Sequence, residues 1–379
     1  MTKKKVDFII LGGGCSALSL INNVLKKKIT NYTFLVIEKR KKYTDDKSWC
    51  FWDKNDSRYT EFTENSWYNF SFNHKKNNNT LTSNIYKYFY IRSSVFYKSS
   101  LRAISKSKNV TLKLNETILK IKEYNTNYLV VTNRGEYLAK NILDTRNNIE
   151  NFKKDTLFYQ YFVGYEIKLE GVNKYISNQA YLMHDMKANK DFFFFDYILP
   201  IKSNQILYEF TAFSKKKLHK SYLESKLKNK LKNSSIKINK IIKKEFGVIP
   251  MGFINKKMLP KKNNYFYAGT SAGAVRASSG YAFYRIQQWA ETASTNLKRK
   301  GALISHPQER FLILLLDKVF LKVISNNPKL TPEIFSYFTK NIATDSFVRF
   351  MSDMANIIDY IKVILAMPKY LIIKCLLKK

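Results

Sequence analysis

Cysteine and histidine are scarce in this 379-residue chain, which has three of the first and four of the second. Cys15, Cys50 and Cys375 form neither a paired framework nor a C-x-x-C motif. We therefore expect reduced thiols in a cytoplasmic protein. The histidines lie far apart, without the spacing of metal ligands, so we expect no metal site.

Acidic residues are also few, 29 against 66 lysines and arginines, and the net charge is +37. Such a charge suits nucleic acid or an anionic membrane surface. The alternative is compositional drift, because lysine is scattered through every segment and runs such as Lys26–Lys28 are typical of solvated faces. The sequence contains no nucleic-acid-binding module, so we expect no nucleic-acid partner and retain attraction to a membrane.

Apolar runs of 18 or more residues are missing, so no transmembrane helix is predicted. The basic segment after residue 301 reads as helical. Its last apolar stretch is interrupted by Lys362, Lys369 and Lys374, and by Pro368. A basic amphipathic helix lying on a membrane and a helix packed onto the protein body both fit this pattern. We expect a cytoplasmic protein associated peripherally with the inner face of the cell membrane.

A dinucleotide-binding fingerprint occupies the N-terminus. The apolar run before Gly12 indicates a buried parallel strand, a helix follows Gly14, and Ala17 stands at the third glycine position of the motif. Gly12 permits a tight turn, Gly14 lets the backbone approach a pyrophosphate, and Ala17 lets the helix pack on the strand. Glu38 ends the second strand, where it can accept a hydrogen bond from a ribose hydroxyl.

The alternative is a structural βαβ unit that binds no nucleotide. An acid at position 38 favours an unphosphorylated ribose, hence FAD or NAD rather than NADP. A second strand and glycine turn, far along the chain, make FAD the better candidate. The cofactor-contacting candidates from the later turns are Asp144, Gly269, Gly273 and Gly280.

Residues 156–255 read as an antiparallel sheet with an aromatic face that could wall a large apolar cavity. Glu209 interrupts one apolar strand. It could pair with a lysine or lie on the exposed face, or burial could keep it protonated as a general acid. Trp49, Phe51 and Trp52 form a second aromatic group, which fits either a core cluster or a pocket for an extended apolar ligand.

Several motifs between residues 6 and 290 together resemble the bacterial lycopene β-cyclases, FAD-dependent flavoproteins that close β-rings on carotenoids. The more specific ones are W-C-F-W at residues 49–52, E-F-T at 209–211 and G-V-I-P-M at 247–251. The sequence departs from that family at Ser16-Ala17, where Ala-Gly is usual. It departs again at Met183-His184-Asp185, where the family typically has Met-Asp, so the role of that acid is not carried over.

This resemblance implies a non-redox reaction. Glu209 would protonate the ψ-end of lycopene, and ring closure and proton loss would give γ-carotene and β-carotene. The cofactor would be reduced FAD, with NAD(P)H as reductant. Cavity walls would come from the aromatic side chains of Trp49, Phe51, Trp52, Phe194 and Tyr197. The alternatives are a related flavin monooxygenase or isoprenoid-chain reductase, and a non-enzymatic basic nucleotide-binding protein.

The predicted fold is α/β, with a Rossmann-type FAD-binding domain of the p-hydroxybenzoate-hydroxylase-like kind, an antiparallel substrate domain and a helical C-terminus. We expect the FAD domain to be discontinuous, over residues 1–45, 100–155 and 262–300. Residues 46–99 and 156–261 would form the substrate domain, and 301–379 the helical basic region.

Overall fold

The computed structural model of the protein describes residues 4–154, 158–171, 175, 177–259 and 261–377. Cys15 and Cys50 are free thiols, and the side chain of Cys375 lies outside the described residues.

One seven-stranded sheet is built from three separate stretches of the chain. Its order is β8-β2-β1-β11-β10-β9, with β17 paired to β11. The parallel strands are β1 (Lys4–Leu11), β2 (Phe34–Ile37), β8 (Val110–Lys113), β11 (Glu136–Asp144) and β17 (Tyr265–Tyr267). The antiparallel strands are β9 (Ile118–Tyr124) and β10 (Asn127–Thr132). Three helices accompany this sheet: α1 (Cys15–Lys26), α2 (Ser93–Ser105) and α4 (Phe283–Lys300). Helix α1 packs against both α2 and α4. All residues of β2 are buried, as expected for a parallel strand covered on both faces.

A second seven-stranded sheet has the order β16-β12-β15-β14-β13-β5-β6 and is antiparallel except for the β13–β5 pair. Its strands are β5 (Asn69–His74), β6 (Asn77–Thr82), β12 (Phe158–Leu169), β13 (Gln179–Ala188), β14 (Phe192–Lys202), β15 (Gln205–Ser214) and β16 (Ile238–Met251). Helix α3 (Lys220–Asn233) covers one face with Leu223, Leu227 and Leu231. These leucines recur every four residues, which puts them on one side of the helix.

A three-stranded sheet and five C-terminal helices complete the described part of the chain. The sheet has the order β3-β7-β4, from β3 (Ser48–Lys54), β4 (Thr63–Trp67) and β7 (Tyr86–Arg92). The helices are α5 (Phe311–Asn326), α6 (Thr331–Asn341), α7 (Thr344–Met351), α8 (Ile357–Ala366) and α9 (Lys369–Leu377). Phe338, Phe347 and Val363 from these helices share a core with Trp52. The C-terminal region thus packs onto the body, and no helix among the described residues is long and apolar enough to span a membrane.

The predicted nucleotide-binding sheet, antiparallel sheet and helical C-terminus are all present. The predicted domain limits stay predictions. Helix α2 crosses the limit placed between residues 99 and 100, because it packs with α1 as well as following β7.

Candidate functional site

The turn after β1 has the geometry of a nucleotide cradle. Gly12 adopts φ +90°, a conformation that favours glycine. Glu38, at the end of β2, is buried. One oxygen of its carboxylate accepts the N–H of Gly13 at 2.7 Å and the other accepts the N–H of Arg40 at 2.9 Å. The backbone therefore fixes this carboxylate beside the turn.

The N-terminus of α1 is open toward a cavity. Gly14 is the N-cap residue, no side chain caps the helix, and its first turn contains no acidic residue. A Cβ built on Gly14 would meet no atom within 4 Å. Free N–H groups at a helix start, beside empty space and a fixed carboxylate, match what a dinucleotide pyrophosphate and ribose need. The residues present fit FAD. Ala17 is fully buried and packs in the core, which agrees with its predicted packing role.

The second glycine turn lies against the first. Gly269 has φ +84°, and a Cβ there would lie 3.0 Å from Ser16 Oγ at the start of α1. Gly280 has φ +75°, and a Cβ there would lie 2.7 Å from Gln160 Oε1 on β12. Gly12, Gly14, Glu38, Gly269 and Gly280 line one cavity.

Asp144 and Gly273 do not line the cavity. The Asp144 carboxylate binds Arg146 at 2.6 Å and accepts the Tyr265 hydroxyl at 3.0 Å. Asp144 therefore shapes the turn after β11, whose next residues, Thr145 and Arg146, do face the cavity.

The cavity has a volume of about 1000 Å³ and runs from this cradle to the C-terminal helices. Its walls are mainly aromatic and aliphatic. They include the predicted Trp49, Trp52 and Tyr197, and also Phe195, Phe213, Phe320, Phe335, Phe338, Phe347 and Phe350.

Two predicted wall residues, Phe51 and Phe194, are not in the cavity wall, and for them the prediction is wrong. Side chains alternate between the two faces of a strand. Phe51 packs against Phe89 and Phe283 in the core, on the opposite side of β3 from Trp52. Phe194 packs against Phe210 under α3, whereas Phe195 faces the cavity.

Glu209 lies in a row of four residues across the second sheet. The register pairs Glu245 of β16 with Gly164 of β12, Gly164 with Glu209 of β15, and Glu209 with Tyr197 of β14. Residues paired in this way share a face of the sheet. Gly164 has no side chain, so the Glu209 side chain extends over it toward Glu245, and the two carboxyl groups are close enough to interact. Glu209 also lines the cavity.

Glu209 is 8 % exposed and Glu245 is 5 % exposed. Burial raises the pKa of Glu209 well above its usual range, and the neighbouring Glu245 raises it further. Lys243 acts in the opposite direction. The geometry therefore favours a protonated Glu209, which can act as an acid at neutral pH.

Three tyrosine hydroxyls form a hydrogen-bonded group next to this row. Tyr88 Oη lies 3.0 Å from Tyr197 Oη and 2.8 Å from Tyr281 Oη. Burial raises the pKa of all three, so they remain neutral. The ring of Trp52 packs against Tyr281 with centroids 5.0 Å apart.

Sequence reasoning missed Glu245, Gly164, Tyr88 and the aromatic residues of the C-terminal helices. Glu245 lies two residues before the G-V-I-P-M motif, so that motif was the available signal. Asp185 lies away from the cavity, and its carboxylate binds Lys187 and Lys230. Among the described residues, no group of three or more His, Cys, Asp or Glu side chains is placed to hold a metal ion.

Comparison with known proteins gives one family and one fold. The family model described as "Lycopene cyclase protein" matches residues 7–376. No curated protein matches the chain.

Three solved structures illustrate the similarity of fold. The flavin-dependent brominase Bmp2 has a TM-score of 0.61 at 11 % identity, covering 99 % of this chain and 100 % of that one. A geranylgeranyl bacteriochlorophyll reductase-like protein from Thermoplasma acidophilum has 0.59 at 11 % identity, covering 98 % and 99 %. Halogenase PltM in complex with phloroglucinol and FAD has 0.52 at 11 % identity, covering 90 % and 80 %. At such identity these matches establish the fold alone, and they confirm the predicted p-hydroxybenzoate-hydroxylase-like architecture.

Proposed function

The chain belongs to the lycopene cyclase family, and we propose that it is a lycopene β-cyclase that uses Glu209 as its acid. The observation that carries this proposal is a buried carboxyl with a raised pKa in the wall of a long aromatic cavity. A monooxygenase or a reductase of the same fold has no need of such an acid.

The reaction begins with transfer of the Glu209 proton to the terminal double bond of the acyclic ψ-end. This transfer leaves a tertiary carbocation, which the neighbouring double bond attacks to close the six-membered ring. The Glu209 carboxylate then accepts a proton from the ring carbon next to the new cation, which forms the ring double bond. The same residue ends protonated, and no electrons are gained or lost overall.

The aromatic wall serves the cationic stage. Trp52, Phe195 and Tyr281 line the same cavity as Glu209, and the faces of aromatic rings attract a nearby cation. The neutral tyrosine hydroxyls add dipoles that are already hydrogen-bonded to one another, so they need little reorganisation. An apolar cavity also keeps water from capturing the cation.

The cofactor of this proposal is FAD, held by the turn at Gly12 and Gly14, by Glu38 and by the second turn at Gly269 and Gly280. When bound in its reduced form, with NAD(P)H as the reductant, FAD would supply negative charge that stabilises a nearby cation without net redox change. The chain's contribution is to hold the ribose at the Glu38 carboxylate and the pyrophosphate at the start of α1.

A water-insoluble substrate also requires an entry route, and we place it at an anionic membrane. Helices α5, α8 and α9 carry exposed apolar side chains: Phe311, Leu315, Ile357, Ile358, Ile361, Ile364, Leu365, Tyr370 and Ile373. Ile364 and Ile373 are also part of the cavity wall, so this apolar surface adjoins the cavity. Exposed Lys362, Lys369 and Lys374 lie among them and would be attracted to anionic headgroups.

Vesicle flotation tests this docking. The protein should bind vesicles rich in anionic lipid, less so at high salt, and the double variant Ile361→Glu/Leu365→Glu should bind markedly less. Leu119→Glu, at an equally exposed position on β9, is the control. Equal binding by the double variant and the control would contradict the assignment of this surface.

Pigment analysis of a lycopene-accumulating bacterial host tests the activity. Wild type should convert lycopene into γ-carotene or β-carotene, and Glu209→Gln should leave lycopene unchanged. Glu123→Gln, an exposed glutamate on β9, is the matched control and should behave as wild type. Unchanged lycopene in the presence of folded, FAD-loaded wild type would contradict the cyclase proposal. Cyclisation by Glu209→Gln would leave the activity in place and remove Glu209 as its acid.

A further inference from the structure

We propose that Glu209 and Glu245 form a carboxyl pair that shares one proton across Gly164, with Lys243 holding Glu245 ionised. Glu245 is then a positioning residue that sets the pH range over which Glu209 is an acid. The inference rests on the proposed function for its consequence in catalysis, whereas the pair itself follows from the geometry.

The sheet places the two glutamates on either side of a gap. They lie on β16 and β15, with β12 between them, so their Cα atoms are about 10 Å apart at the usual strand spacing. Two extended side chains can meet over that distance only if the residue between them is small. A Cβ on Gly164 would lie 2.6 Å from Glu209 Cγ and 3.1 Å from its Oε1. Glycine at position 164 is thus a requirement of the pair.

The surroundings decide which carboxyl carries the proton. Ser48 Oγ donates to Glu245 Oε2 at 3.0 Å, and Lys243 Nζ lies 3.3 Å from the same oxygen. These contacts stabilise an ionised Glu245. Its other oxygen, Oε1, is buried, and among the described residues no amide, hydroxyl or ammonium group donates to it. A protonated Glu209 provides the missing donor.

The other titratable groups near the pair do not change which carboxyl carries the proton. Lys243 is 3.8 Å from Asp45. Beyond them Glu166 is ion-paired with Arg92, which also binds Asp45 at 3.2 Å. On the cavity side, burial raises the pKa of the hydroxyls of Tyr197 and Tyr281 and of the Cys50 thiol, so these groups stay neutral. The remaining charges next to Glu209 are therefore those of Glu245 and Lys243.

The pair helps both proton transfers. While Glu245 is ionised, loss of the Glu209 proton would place two negative charges together, so Glu209 stays protonated through neutral pH. After Glu209 has protonated the substrate, the same repulsion makes its carboxylate a stronger base. It then recovers a proton from the cyclised cation, and the pair returns to its starting state.

The pH dependence of turnover by FAD-loaded enzyme tests the inference. Because Glu209 must be protonated, activity is lost as pH rises through its pKa. This loss forms the alkaline limb of the pH–activity profile. Glu245→Gln removes the repulsion and leaves the Lys243 charge unbalanced. The limb should therefore move down by roughly 1–3 pH units, with activity recovered at lower pH. Lys243→Met should move the limb upward. A purely structural role for Glu245 predicts lower turnover at every pH and no such opposite shifts.

A pair of glycine variants separates packing from protonation. Gly164→Ala should shift the limb in the same direction as Glu245→Gln, because its Cβ pushes the Glu209 side chain away from Glu245. Gly247→Ala is the control. Its Cβ would lie 2.2 Å from the Phe162 ring, so it disturbs the same face of the sheet without touching the carboxyls. It should lower turnover and leave the limb in place.

Infrared spectroscopy detects the shared proton directly and does not require the enzyme to be active. At neutral pH wild type should show the carbonyl stretch of a protonated carboxylic acid, sensitive to D2O and absent from Glu209→Gln. In Glu245→Gln that band should disappear at lower pH than in wild type. Absence of the band from wild type, or limb shifts of the same sign in Glu245→Gln and Lys243→Met, would overturn the pair. If wild type makes no cyclic carotenoid but the band behaves as described, the proposed function fails and the pair remains.

Discussion

Replacement of Arg276 by methionine should loosen the C-terminal helices from the second glycine turn. Arg276 lies between Gly273 and Gly280 and is 0 % exposed. Its guanidinium is 3.4 Å from Asp317 on α5 and 3.6 Å from Asp353 after α7. It also donates to the carbonyl oxygen of Phe350, and it lies 4.2 Å from the centre of the Phe350 ring. One side chain therefore joins the second glycine turn to two elements of the cavity wall.

The size of the effect depends on which partners lose their counterion. Asp353 retains Arg285 at 3.3 Å. Asp317 is 2 % exposed and has no other cation within ion-pair distance among the described residues, so Arg276→Met leaves it buried and uncompensated. Breaking a buried pair in this way costs about 3–5 kcal/mol. This cost is a large part of the roughly 5–15 kcal/mol that stabilises a typical domain.

Urea unfolding of the FAD-free protein measures this loss. The double variant Arg276→Met/Asp317→Leu removes both charges and should recover most of the free energy of unfolding. Arg299→Met, at an exposed site on α4, should change it by no more than about 0.5 kcal/mol. The reasoning is refuted if the single variant loses less than about 1 kcal/mol, or if the double variant is no more stable than the single one.

Two further predictions follow from the cradle and from α8. Gly14→Ala should weaken FAD binding, measured by quenching of flavin fluorescence. The free energy of unfolding of the FAD-free protein should fall by no more than about 1 kcal/mol, because the new Cβ enters open space at the helix start. Unchanged FAD affinity would contradict the cradle. Asp359 binds Arg349 at 2.7 Å and caps α8 with Asn356, and its pKa is lowered to about 2. Its contribution to stability is therefore present above the unfolded pKa of about 3.9 and is lost as pH falls toward 2. Asp359→Asn should make acid unfolding less steep in that interval, and an unchanged curve would exclude this role.

The nucleotide-binding half could be predicted from the sequence because its signals are local. A buried strand, a glycine turn, a helix and a strand ending in Glu38 follow one another within 40 residues, and each has its own physical requirement. Part of the cavity prediction was wrong because side chains alternate between the two faces of a strand. Phe51 and Trp52 are neighbours in sequence, yet only Trp52 faces the cavity, and composition alone does not say which face of β3 is which.

The C-terminal helices show a second limit. Their basic, interrupted apolar pattern fitted a membrane surface and a packed position equally well. In the structure the helices bury one set of apolar side chains and expose another. Phe347 and Val363 pack into the core, and Ile361 and Leu365 remain exposed. A helix that covers a core and still carries apolar residues on its outer side has no single hydrophobic stripe, so periodicity could not distinguish the two positions.

Glu209 illustrates what register adds to sequence. Its strand position left open whether a lysine, solvent or the protein interior would meet the carboxyl. Its partner, Glu245, is 36 residues away in sequence and two strands away in space, and the residue that lets them meet is a glycine on a third strand. No local pattern marks Gly164, because its importance lies in the absence of a side chain between two others. An acid buried at that depth without a hydrogen-bonding partner would destabilise the sheet. In the proposed function, Lys243 and Ser48 hold Glu245 beside this acid, and Glu209 serves as a proton donor that is regenerated in each reaction.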